Sequence, residues 1–159
     1  KLINFVREDA TKLSFASNMY DGVIFGFNGL MQIPHRENRK KAMNECFRVL
    51  RPGGRFAFTS HDRGIPKWKK LWVIERIRWR IGLQDKALIE FGDRYGETPT
   101  GRLFIHVPDR SDIQKDLRDT GFLLEREVMR SKVCDESKLV KDFSDECRFW
   151  VARKPESIG

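Results

Sequence analysis

One stretch, residues 20 to 60, constrains this chain more than any other. It opens with Tyr20-Asp21-Gly22-Val23-Ile24-Phe25-Gly26-Phe27-Asn28 and closes with Arg48-Val49-Leu50-Arg51-Pro52-Gly53-Gly54-Arg55-Phe56-Ala57-Phe58-Thr59-Ser60. The unbroken apolar centre Val23-Ile24-Phe25 suits a strand covered on both faces. Between the two runs, Ala42, Met43, Cys46, Phe47 and Leu50 recur on one helical face, opposite Arg39, Lys40, Lys41, Glu45 and Arg48. Pro34 marks a helix start near Arg36. Pro52 cannot extend the helix past Leu50, and the glycines after it accept positive φ without steric cost. Strand, helix and strand make one parallel crossover unit, which places the chain in the α/β class. Ligands in such sheets bind beyond the carboxyl ends of the strands. Gly26, Phe27, Asn28 and His61 follow strand ends and are therefore the first candidates.

At 159 residues, with 40% hydrophobic and 34% charged, the chain is long enough for one domain with a real core. No apolar run approaches the roughly 20 residues of a membrane span. The three cysteines, Cys46, Cys134 and Cys147, are odd in number and lack metal-ligand spacing. They read as free thiols in a reducing compartment, with a cytoplasmic location and no metal as the expectation. The net charge of +8 favours acidic partners only weakly. Leu2 to Val6 reads as a short buried strand. A domain rarely begins there, so an upstream segment is expected.

Downstream, residues 61 to 101 break the strand-helix alternation. Pro66 to Ile81 is predicted helical, with Leu71, Ile74, Ile77 and Ile81 as one stripe that Trp68 and Trp72 widen, interleaved with basic residues. It reads as a packed lid whose aromatics shape an acceptor pocket, a face for acidic lipids, or an ordinary helix packed on the domain with its lysines solvated; single-stranded nucleic acid suits it least. Gly92 to Gly101 has loop composition, and Arg102 to Val107 a short strand. A helix capped by Asp109 or Ser111 carries Ile113 and Leu117 and stops at Gly121. Leu123 to Met129 and Cys147 to Arg153 are read as a closing antiparallel strand pair, joined by a polar connection from Cys134 to Asp145. His35, His61 and His106 are the available bases, and His61, after a strand, is the best placed.

The order Asp9-Ala10, Leu13-x-Phe15, Tyr20-Asp21-x-Val23, Phe27-Asn28-x-Leu30, Arg48 to Gly54 and Gly121-Phe122 resembles class I S-adenosylmethionine-dependent methyltransferases. The resemblance spans nearly the whole chain and is weakest over residues 61 to 101. It implies a Rossmann-like fold, a mostly parallel sheet with a C-terminal antiparallel pair, and S-adenosyl-L-methionine as cofactor, leaving as S-adenosyl-L-homocysteine. By the same resemblance Asp9 and Ala10 would meet the adenine, Phe25, Gly26, Phe27 and Asn28 the sulfonium and methyl side, and Met31 the pocket wall. The plainer alternatives are a turn capped by Asp9 and a packed strand end at 25 to 28. Asn28 lacks the Pro-Pro-aromatic context of enzymes that methylate nucleic-acid bases. A small-molecule acceptor is therefore expected, with His61 as base where the acceptor must lose a proton. The family's glycine-rich loop and ribose-binding acid have no counterpart in these residues. An upstream segment, or a second copy in a homo-oligomer, is expected to complete the sheet. The reading from another class is a non-catalytic binding or partner subunit.

Overall fold

The computed structural model describes residues 3–99, 101–143 and 145–156. Strand β1 (Tyr20–Phe25) leads through a short 3-10 turn, Gly29–Gln32, into helix α1 (Arg36–Val49) and strand β2 (Leu50–Ser60). After β2 come α2 (Lys69–Arg80), β3 (Asp93–Thr98), β4 (Gly101–His106), α3 (Arg110–Thr120), β5 (Leu123–Met129), α4 (Lys138–Phe143) and β6 (Arg148–Arg153). The main sheet has the order β1-β2-β6-β5, and β3 and β4 form a separate hairpin. β1 and β2 are parallel, as the crossover unit requires, while β6 lies antiparallel to both β2 and β5. Among the described strands, parallel pairing is thus confined to β1 and β2. The Pro52-Gly53-Gly54 turn is absorbed into β2: the register jumps between Tyr20↔Leu50 and Gly22↔Arg55, and Gly53 takes φ 77 at the jump.

One face of the sheet carries the core. Phe56, Phe58, Trp150 and Ala152 from the strands meet Ala42, Met43 and Cys46 of α1 and Ile113 and Leu117 of α3. Phe56 stacks on Phe58 at 4.8 Å and on Phe122 at 5.3 Å. Each such side chain contributes about 1.5–3 kcal/mol on full burial. Trp150 keeps its polar atom satisfied, its indole N–H donating to the buried Ser60 hydroxyl at 2.9 Å. Burial pushes the Cys46 thiol up to about 12, so it behaves as a small apolar core group. Helix α3 opens with a reciprocal capping box between Asp109 and Asp112, and Gly121 closes it in the left-handed region.

Four sequence expectations change. Residues 3 to 8 form no strand, and Ile3, Phe5 and Val6 are exposed; Leu2 lies outside the described residues. No described strand lies alongside to satisfy their backbone, and an unpaired segment has no ladder to join. The glycine-bearing stretch from 92 supplies β3, which pairs residue for residue with β4. The polar connection holds the short helix α4. Arg39, assigned to the solvated side of α1, is buried, donating to the Ile33 carbonyl at 3.1 Å and to Glu90 Oε2 at 2.6 Å.

Candidate functional site

The carboxyl ends of β1 and β2 lie side by side, and the residues just past them meet. Phe27 and Asn28 both have φ 55. For a bulky residue such as Phe27 this is a costly conformation, and two in succession mark a segment held by its surroundings. The Asn28 N–H donates to Thr59 Oγ1 at 3.0 Å, tying the end of β1 to β2. Its side-chain Nδ2 lies 3.4 Å from His61 Nε2. His61 Nδ1 faces the Glu146 carbonyl at 3.2 Å. A carbonyl only accepts, so the neutral ring carries its proton on Nδ1 and keeps the Nε2 lone pair toward Asn28. Asn28 Oδ1 is buried and has no hydrogen-bond partner among the described residues. An orphaned acceptor of this kind costs about 1–3 kcal/mol unless a ligand or water supplies a donor.

His61 also lies on the wall of a cavity of about 250 Å³. Helix α2, with Trp68 just ahead of it, closes one side through Trp68, Leu71 and Trp72, and the β3–β4 hairpin the other with Tyr95 and Ile105. Asp62 sits at the rim, held by Arg148 Nε at 3.0 Å and Nη2 at 2.7 Å. The Arg94 guanidinium lies 5.8 Å from the centre of the Trp72 ring. Flat aromatic walls with few polar groups are the make-up of a small-molecule site.

The base of α2 is fastened elsewhere. Arg63 Nη2 reaches Asp109 at 2.7 Å and Asp112 at 2.8 Å, and its Nη1 donates to the carbonyls of Phe91 and Val107. Gly92, at φ 115, makes room for it: a Cβ there would come within 2.3 Å of Arg63 Nη1. A third cluster, Glu90, Asp93 and His106, has its ligand atoms within 4.8 Å of one another. These groups already hold one another. His106 Nδ1 meets Asp93 Oδ1 at 2.8 Å, and the other Asp93 oxygen accepts from the N–H groups of Ile89 and Glu90. Glu90 accepts from the Arg36 backbone and from Arg39. Burial works against the Asp93 carboxylate, but the hydrogen bonds from His106 and the two N–H groups outweigh it and keep its pKa low.

The sequence candidates divide. Asn28 and His61 come together, with Phe27 96% exposed beside them and open space around Gly26, where a Cβ would meet nothing within 4 Å. Phe25 packs against the core. Asp9 forms a turn: Thr11 N–H and Oγ1 both donate to its Oδ1, and these bonds lower its pKa. Ala10 packs half-buried against the core. Met31 is a core residue, 1% exposed, on the wall of a second cavity beside Arg39 and Met43. Of the other histidines, His35 lies at the start of α1 and His106 in the carboxylate cluster. Asp62 and Thr59 went unassigned from sequence, whereas Trp68 and Trp72 belong to the helix read as a lid. The one available signal was the position of Thr59 and Asp62 on either side of His61 at the end of β2.

Residues 1–58 match a family model described as a methyltransferase domain. The chain is 27% identical over 126 residues to demethylmenaquinone methyltransferase of Paenarthrobacter aurescens, covering 76% of this chain and 45% of that protein. It is 30% identical over 121 residues to the ubiquinone/menaquinone biosynthesis C-methyltransferase UbiE of Ectopseudomonas mendocina, covering 76% and 44%. The chain thus spans less than half the length of these curated relatives. A crystal structure of a SAM-dependent methyltransferase from Methanosarcina mazei superposes with a TM-score of 0.70 at 17% identity, over 94% of this chain and 66% of that one. The chain has the Rossmann-like fold of class I S-adenosylmethionine-dependent methyltransferases.

Proposed function

We propose that this chain forms the acceptor side of an S-adenosylmethionine-dependent methyltransferase acting on a planar small molecule. One observation carries the reading: Asn28 and His61 meet at the carboxyl ends of β1 and β2, with His61 on the wall of the aromatic cavity. The residues present fit one side of the donor. Asn28 offers an unpartnered buried acceptor, and Gly26 leaves free space at the end of β1. The ribose and methionine side would come from residues upstream, paired along the outer edge of β1, which no described strand occupies.

S-adenosylmethionine, when bound, supplies a methyl group on a sulfonium that departs as a neutral thioether. The chain's own residues do the rest. Trp68, Trp72 and Tyr95 hold a flat ring by stacking, and α2 above them keeps water out. His61 Nε2 takes a hydroxyl proton from the acceptor, which raises the electron density of a neighbouring ring carbon. Positioning supplies much of the remainder, effective molarities reaching about 10⁵–10⁸ M in well-oriented systems. The similarity to the named relatives supports methylation at carbon of a quinone-precursor ring that bears such a hydroxyl; the methylated carbon then releases its own proton and the hydroxyl is restored. The location expected for such an enzyme is the cytoplasm; no described helix is long and apolar enough to cross a membrane.

The test is calorimetric titration of S-adenosylhomocysteine into this chain and into the chain with its upstream sequence. Micromolar binding is expected for the longer form and weak or no binding for the shorter. Absence from both would sink the proposal. His61→Ala in the longer form should lower kcat about 10²–10⁴-fold and leave cofactor affinity unchanged.

A further inference from the structure

Helix α2 has two apolar faces, and only one is used. Trp68, Leu71, Trp72 and Trp79 turn inward; Trp72 and Trp79 meet Phe91 edge-on at 5.9 and 6.2 Å. The outward face carries Val73, Ile74, Ile77 and Ile81, with Leu83 just beyond the helix, each between 52% and 70% exposed. At helical spacing, Lys69, Arg76 and Arg80 flank this stripe on one side and Lys67 and Arg78 on the other, with Lys70 at its head. From Pro66 to Leu83 six cations face one acid, a net charge of 6 − 1 = +5. The acid, Glu75, lies on the inward side and is paired with Arg78 at 3.0 Å, while Lys67 is paired with the half-exposed Asp145 at 3.2 Å. Lys69, Lys70 and Arg80 have no carboxylate partner among the described residues.

We propose that the outward face of α2 docks on an anionic lipid bilayer, with the helix axis in the plane of the surface. An aliphatic stripe bordered by cations on both sides, with no acid of the helix itself turned outward, has the chemistry of such a helix. The isoleucines enter the acyl boundary while the lysines and arginines meet lipid phosphates. Nucleic acid is disfavoured by the same geometry, because single strands need exposed aromatic platforms and these tryptophans face the protein. If the acceptor reading above is right, the docked helix lies directly over the cavity lined by Trp68, Leu71 and Trp72, and an apolar acceptor enters from the bilayer.

Vesicle co-sedimentation tests the docking without donor or acceptor, so its outcome is separate from that of the methyl-transfer reading. The chain should sediment with phosphatidylcholine vesicles holding about 30% phosphatidylglycerol and should be released by about 0.5 M NaCl, where screening shortens to a few ångströms. It should bind pure phosphatidylcholine at least about tenfold more weakly. Ile77→Glu with Ile81→Glu should lower anionic-vesicle binding more than about tenfold, with an unchanged thermal melt because both positions are exposed. Each cation near an anionic surface strengthens binding about fivefold, so Lys69→Gln with Lys70→Gln should weaken it about 25-fold. Equal binding to neutral and anionic vesicles, or full binding by either double variant, overturns the proposal. So does a dimer in light scattering that the isoleucine variant disperses, since a second copy would then cover the face.

Discussion

Helices α1 and α2 have similar apolar periodicity and opposite fates. In α1 the stripe of Ala42, Met43 and Cys46 lies at the centre of the core. In α2 the stripe read from the spacing, Leu71, Ile74, Ile77 and Ile81, mostly faces solvent, and the tryptophans take the inside. The difference lies in what each helix has to cover. α1 has a single apolar side and a sheet beneath it. α2 has two apolar sides, and the larger aromatic surface wins the buried position because it removes more area from water.

Truncation is the sharpest way to break this comparison. Met43→Ala should cost about 2–5 kcal/mol in urea unfolding. A loss below about 1 kcal/mol would mean that α1 is no better packed than the outer face of α2. The next effect in size concerns the join between the two regions, where Asp93 and His106 sit. Asp93→Asn should destabilise the chain by about 1–3 kcal/mol at neutral pH. Because the hydrogen bonds from His106 and the backbone hold the folded carboxylate below the ordinary aspartate range, its contribution is present above the unfolded pKa and is lost as pH falls through the folded value. The gap between wild type and variant should therefore narrow in acid; a gap that widens would show the pair is not held as described. The smallest effect belongs to the outer face. Ile77→Ser should change stability by no more than about 0.5 kcal/mol, and a larger loss would place Ile77 against protein.

The same contrast explains how much was legible. The unit β1–α1–β2 could be read because its pattern is local: an unbroken strand, a one-sided helix and a Pro-Gly-Gly stop. The closing pair β5–β6 was legible for the same reason. Arg39 misled because its charge resembles its solvated neighbours, while its partner Glu90 lies 51 positions away. β3 was hidden because Arg94-Tyr95-Gly96-Glu97-Thr98 has the polar, glycine-bearing look of a loop and gains strand structure only from β4. At the site, position after strand ends brought Gly26, Phe27, Asn28 and His61 forward as candidates, and of these the structure brings Asn28 and His61 together. Their meeting joins residues 33 positions apart, and the Asp62–Arg148 pair spans 86. No local pattern encodes such contacts.

The fastening at Arg63 has a consequence for how this protein can diversify. Residues 63 and 92 lie against each other, so the segment between them departs and returns at nearly one point, tied to α1 through Glu90. Such a segment can lengthen, shorten or be exchanged without moving a strand of the main sheet. Chains descended from this one can thus vary that segment while the sheet stays as inherited.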